Sequence, residues 1–196
     1  MVKTPLRIGI TGAHFTGKTQ LLRRIERELR AAGLSVARTG HLGTRAAGLG
    51  LPKMSRHTTA STEWIMAQGI ADEIAAAAQG AEVVLADRAV IDALAYYYAA
   101  LDLRAEPAAP AEDERLRLLA GTQHAKYQLL LATVLDRTAP VDTDDAYGRY
   151  RVLVDRHVHA LLAEERLAHL RVGYDEEDQA RAVQLAVDFV ITAAST

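Results

Sequence analysis

Residues 10–19 read Ile-Thr-Gly-Ala-His-Phe-Thr-Gly-Lys-Thr, a complete G-x-x-x-x-G-K-[ST] pattern at Gly12, Gly17, Lys18 and Thr19. The setting matches the letters. Leu6-Arg7-Ile8-Gly9-Ile10 is an apolar run that leads in as a buried strand would. Behind the loop, Leu21, Leu22, Ile25, Leu29 and Ala32 recur at helical spacing, and Gly33 stands where a helix should stop. Glycines let such a turn aim backbone N–H groups at phosphate oxygens, and the next helix adds the positive end of its dipole. On this reading Gly12, Ala13, His14, Phe15, Thr16, Gly17, Lys18 and Thr19 cradle a nucleoside triphosphate. Lys18 reaches the β- and γ-phosphates and Thr19 ligates Mg²⁺. The alternative is an ordinary Gly-rich turn with a chance lysine. Four specified positions in a strand–turn–helix setting weigh against it. The side chain of His14 is expected to point outward, leaving its N–H to the phosphates.

Working outward, strands and helices alternate. Leu34–Thr39 reads as a second strand, and residues 40–57 as a Gly- and Pro-containing loop carrying His41, Arg45, Lys53, Arg56 and His57. Thr58–Gln79 reads as a helix, Glu82–Asp87 as a buried strand and Val90–Leu103 as a helix. A further helix covers about Ala111–Lys126, and Tyr127–Val134 is an apolar run read as a strand, with helix possible. A polar loop at 136–145 precedes a helix from Ala146 to about Leu167, a short strand at His169–Val172 and a closing helix at Glu176–Thr192. This order predicts an α/β fold, a parallel sheet with helices on both faces, with ligands at the carboxyl ends of the strands. No repeat or linker is evident, so residues 1–196 are expected to form one domain.

The chain has 196 residues with Lys plus Arg 23 against Asp plus Glu 25, a formal charge of −2. That balance gives no sign of a nucleic-acid surface, which needs a basic excess or stripe. Without cysteine there are no disulfides, thiolate metal sites or thiol nucleophiles. No signal-peptide core or membrane-length apolar run stands out, so a cytoplasmic protein without membrane partners is the expectation.

Val83-Val84-Leu85-Ala86-Asp87 is an apolar strand ending in an acid, the form of a second nucleotide-binding motif. An acid there can share the Mg²⁺ shell or take a proton from an attacking hydroxyl, and Arg88 can fork onto a phosphate or an anionic substrate. Otherwise Asp87 merely caps the next helix and Arg88 is solvated.

With these motifs quoted, the chain resembles P-loop nucleoside and nucleotide kinases. Within them it is most similar to thymidylate-kinase-like and ribosylnicotinamide-kinase-like domains, often described only as AAA-type ATP-binding proteins. Asp87-Arg88-Ala89-Val90-Ile91-Asp92-Ala93-Leu94-Ala95-Tyr96 is similar to their D-R-x-x-x-D-A-x-x-Y segment. The resemblance implies a P-loop NTPase three-layer sandwich. It places Asp87 near the acceptor hydroxyl and Mg²⁺, and Arg88 on the substrate. It also implies an arginine-bearing lid at about 136–151, with Arg149 favoured over Arg151 and Arg137 to act on the moving phosphoryl group, and a homodimer as the usual assembly. Two departures stand out. Thr39-Gly40-His41 occupies the place where relatives carry a sugar-binding acid, and the lid lacks a clean family pattern.

Other candidates concern the acceptor. Trp64 and Gln68 share a helix face and can stack on and hydrogen-bond a base, core packing being the commoner use of such a Trp. Of Tyr96, Tyr97 and Tyr98 at most one or two can face the site, and Tyr97 is the candidate. His41, Arg45, Lys53, Arg56 and His57 can clamp an anionic acceptor or stand in a solvated loop, with His41 and Arg45 the candidates carried forward, and Arg151 completes the substrate set. His157 and His159 point to different helix faces, which argues against a metal pair. The leading expectation is therefore transfer of the γ-phosphoryl of Mg·ATP to a small acceptor, with Lys18, Asp87, Arg88 and Arg149 acting. A stand-alone ATPase or an ATP-dependent regulatory or binding module is the alternative. A GTPase switch needs an N-K-x-D or T-K-x-D motif, and the nearest stretch is Leu135-Asp136-Arg137-Thr138.

Overall fold

The computed structural model describes residues 4–136 and 146–194. Five parallel strands lie in the order β2-β3-β1-β4-β5. They are β1 (Leu6–Thr11), β2 (Val36–Thr39), β3 (Val83–Asp87), β4 (Leu129–Thr133) and β5 (Leu170–Val172). The helices are α1 (Lys18–Ala31), α2 (Leu42–Gly48), α3 (Thr59–Ala78), α4 (Val90–Arg104), α5 (Pro110–His124), α6 (Ala146–Glu164) and α7 (Glu176–Ala194). The chain is thus α/β, a three-layer sandwich of the P-loop type. Within the stretch 127–134, Leu129–Thr133 form a strand, as its apolar run suggested.

The sheet is covered on both faces because its central strands are apolar on both faces. β3 is buried along its whole length, and Ile8 and Ile10 of β1 are fully covered. On one face α1 and α7 pack Leu21, Leu22, Ile25 and Leu29 against Ala182, Ala186 and Val190. Each such Leu or Ile contributes about 2 kcal/mol through burial. On the other face α4 is the central helix, buried nearly all round, with α3, α5 and α6 around it. Pro110 opens α5 at a position where its missing N–H costs nothing, and Thr58 caps α3 through a reciprocal pair with Ser61.

One expectation is corrected. Residues 40–57 are not all loop, since α2 and a 3₁₀ turn at Met54–Arg56 lie within them. Three glycines at 43, 48 and 50 hide the helical signal. Burial of Leu42 and Ala46 against the core around α4 outweighs the poor propensity of the glycines.

Candidate active site

Strand register brings the ends of β1 and β3 side by side, pairing Ile10 with Asp87. The 12–19 loop leaves β1 there and enters α1. Gly17 is the N-cap in the left-handed region (φ 80°), and no side chain caps the helix. That leaves the first-turn N–H groups available to an anion. Gly12 is required by space as well as by its φ of 144°, because a Cβ there would lie 2.0 Å from Thr133 Oγ1. Lys18 Nζ is buried and donates to the Gly12 carbonyl at 2.6 Å and also to that of Ala13. Burial lowers its pKa to about 7, against the pull of Asp92 and Asp87.

Thr19 Oγ1 donates to Asp87 Oδ2 at 2.8 Å, which joins the two motifs directly. Arg38 NH1 stands 3.6 Å from the same oxygen, and its Nε donates to Glu26 at 3.0 Å. β2 can pass this close because residue 40 is glycine, where a Cβ would lie 3.0 Å from Asp87 Cβ. Among the described residues no group of three or more His, Asp or Glu could hold a metal ion unaided. A hydroxyl beside a carboxylate nevertheless suits Mg²⁺, which binds through one or two protein oxygens and takes the rest from phosphate and water.

Arg88 follows with a φ of 90°, a region that non-glycine residues occupy at a cost of about 1–3 kcal/mol. The next amide, Ala89 N, donates to Ile10 O at 2.8 Å and anchors the turn to β1. The Arg88 guanidinium lies 4.8 Å over the Tyr96 ring, with NH1 3.5 Å from Asp92 Oδ2. Asp92 Oδ1 accepts from the Gly12 amide at 3.0 Å and from the Thr11 hydroxyl. This buried carboxylate ties the phosphate-type loop to Arg88. Its signal was present in the quoted D-R-x-x-x-D segment, four residues after Arg88 and in the first turn of α4.

Beside these groups lies a cavity of about 280 Å³. Thr19, Asp87 and Arg88 line one side, and Leu42, Ile65, Met66 and Val90 supply apolar wall. Met54, His57 and Lys53 border it from the segment before α3. That segment is held by Arg104, whose guanidinium donates to Ser55 O at 2.8 Å and His57 O at 3.2 Å.

Of the residues singled out in the sequence, Thr19, His41, Lys53, His57, Asp87 and Arg88 line this cavity. Arg45, Trp64, Gln68 and Tyr97 do not. Arg45 and Gln68 both bind Asp72, the latter at 2.8 Å, and Trp64 packs against the core around α4. Tyr97 is buried with its hydroxyl 3.2 Å from Thr59 Oγ1, while its neighbour Tyr96 lines the cavity. Arg151 reaches the phosphate-type loop, donating from Nε to His14 O at 3.0 Å and from NH2 to Phe15 O at 3.1 Å. Arg149 is exposed on α6, and Arg137 and most of the expected lid lie outside the described residues. His14 is a correction. Its ring is buried, 4.8 Å from Tyr147 and 6.1 Å from both Tyr96 and Tyr150, while Phe15 takes the exposed place. Burial first, then Arg151, Arg88 and Lys18, lowers the His14 pKa to about 3. Asp92 and Arg38 were not singled out as site residues beforehand, whereas His57 and Tyr96 were among the residues weighed for the acceptor.

No protein-family model matches the chain, and no curated protein matches it. Among solved structures it is similar to NadR protein in complex with NAD and AMP-PNP, at 16% identity and a TM-score of 0.69 over 94% of this chain and 49% of that one. A second structure, NadR protein in complex with NR, gives 16% identity and a TM-score of 0.65 over 94% of this chain and 50% of that one. The chain therefore spans about half the length of these NadR chains. Within that half it shares their fold.

Proposed function

We propose that this protein is an ATP-dependent small-molecule kinase that moves the γ-phosphoryl of Mg·ATP to a nucleoside, nucleotide or similar acceptor. The observation that carries the reading is the 2.8 Å contact between Thr19 and Asp87, at the edge of a cavity that Asp87 and Arg88 also line. A phosphate loop alone supports nucleotide binding. A carboxylate and a fixed cation shared between that loop and an adjoining cavity support transfer to a second molecule. One NadR structure, which shares this fold over about half its length, is a complex with NAD and AMP-PNP.

Thr19 and Asp87 would hold Mg²⁺, which supplies charge neutralisation on the phosphates. Lys18 orients the phosphate chain from within the loop. Asp87 can accept the proton of an acceptor hydroxyl, and Arg88 positions that acceptor through its own fixed place between Tyr96 and Asp92. Arg151, bridging two loop carbonyls from α6, rigidifies the loop and brings positive charge to it. The apolar wall excludes water, which limits wasteful hydrolysis.

The test is a panel of nucleosides, nucleotides and sugar-like alcohols with Mg·ATP, reading ADP release against a no-acceptor control. Acceptor-dependent release with a phosphorylated product is the expected result. Release that is equal without acceptor would replace the kinase with an ATPase.

A further inference from the structure

The cavity holds one polar group whose protonation the surrounding bonds determine. His57 is buried, with Nδ1 3.3 Å from Thr62 Oγ1. The Thr62 hydroxyl has a single proton, and it is donated to the Thr58 carbonyl at 2.8 Å. A carbonyl cannot donate, so that direction is not in question, and the shorter contact takes the proton. Thr62 Oγ1 must then accept from His57, which makes Nδ1 the protonated nitrogen. Nε2 is left as a lone-pair acceptor on a ring that lines the cavity.

The ring is also held in place. Arg104 pins the His57 carbonyl at 3.2 Å, and the Tyr96 ring centroid lies 6.1 Å away. Burial, reinforced by the charges of Arg88 and Arg104, lowers the His57 pKa to about 4 and keeps the imidazole neutral near pH 7. The charged groups of the cavity are differently disposed, and the hydroxyls of Thr19 and Tyr96 and the ring of His41 border it as well. Arg88 and Lys53 only donate, while Asp87 and Asp92 are engaged with Thr19, Arg38, Gly12 and Arg88.

We infer that His57 is a specificity-determining residue whose Nε2 accepts a hydrogen bond from the phosphoryl acceptor, selecting acceptors that carry a neutral N–H donor such as a nucleobase imide or a carboxamide. The inference deepens the kinase reading of the same cavity and rests on it for the word acceptor. A site that offers a desolvated acceptor rejects an analogue lacking the donor, because its own lone pair is then left unpaired.

The experiment compares matched pairs, uridine with N3-methyluridine and nicotinamide riboside with nicotinic acid riboside. It uses kcat/KM with Mg·ATP and equilibrium binding in the presence of AMP-PNP. The wild type is expected to favour the donor-bearing member by about tenfold, mainly through KM. His57→Phe, which keeps the ring, should bring the ratio to about one, and His57→Gln should restore part of it. Thr62→Val removes the partner that orders Nδ1 and should erode the preference without touching ring volume, an effect that a purely space-filling histidine would not give. The ¹⁵N shifts of His57 in the full chain should report protonation at Nδ1.

An Nε2-protonated ring, equal use of both members by the wild type, a preference that survives His57→Phe, or failure of all four compounds to bind would each overturn the inference. A binding preference without any acceptor-dependent ADP release would uphold His57 and remove the kinase reading instead.

Discussion

The two ends of the candidate site are built in opposite ways. The loop, the phosphate end on the proposed function, comes from one contiguous segment, residues 12–19, and would recognise its ligand largely through backbone N–H groups. The cavity, the acceptor end on the proposed function, is gathered from α2, the 3₁₀ turn, α3 and the β3–α4 junction, and it is lined by side chains. Backbone recognition needs only that the chain turn correctly, so a short pattern of glycines suffices. Side-chain recognition needs several elements to dock in one register, and any of them can change without disturbing the loop. The two ends meet at Thr19–Asp87 and at Asp92, which binds the Gly12 amide on one oxygen and faces Arg88 with the other.

Substitutions can break this division. The largest effect is expected from Lys18→Ala, a loss of turnover on the order of a thousandfold with the fold retained by circular dichroism. Asp87→Asn belongs to the junction. It should lower kcat about a hundredfold while nucleotide affinity, read by titration, stays within a few-fold. Near-normal turnover in that variant would detach the junction from the chemistry.

A smaller effect is expected at α6, where Arg151→Ala should reduce kcat about tenfold. Arg149→Ala should do less, since Arg151 and not Arg149 touches the loop in the described structure. The reverse order, in steady-state kinetics on both variants, would transfer the role to Arg149.

The smallest effect lies away from both ends, at Glu73 on α3. This carboxyl is buried, accepts from the Tyr127 hydroxyl at 2.8 Å, and has its pKa raised by burial above 4.5. A raised folded-state pKa means the folded protein holds the proton more tightly than the unfolded chain. Its contribution to stability is full below about pH 4.5 and is lost as pH rises through the folded value. Glu73→Gln should therefore raise the melting temperature at pH 8 by a few degrees and change it little at pH 4. An equal shift at both pH values would show that Glu73 acts through packing instead.

The comparison also explains what could be read in advance. The strand–loop–helix opening, Asp87–Arg88 and the alternation of strands and helices are local patterns, and all of these elements are present. The helix α2 was hidden by its glycines. On α4 the apolar residues run all round, so periodicity could not decide between Tyr96 and Tyr97. Only docking against α6, where Tyr150 donates to Tyr96 O at 3.0 Å, sets which one borders the cavity. Gln68 and Arg45 carried suitable groups, but Asp72 on the same surface engages both.

By itself the sequence determined the α/β order and a loop able to hold phosphates, because each depends on neighbours within a few residues. Tertiary structure alone decided that Thr19 meets Asp87, that Asp92 braces the loop, and that His57 lines the cavity. Those pairings join residues from different elements, and only the packing of the sheet and its helices brings them within bonding distance.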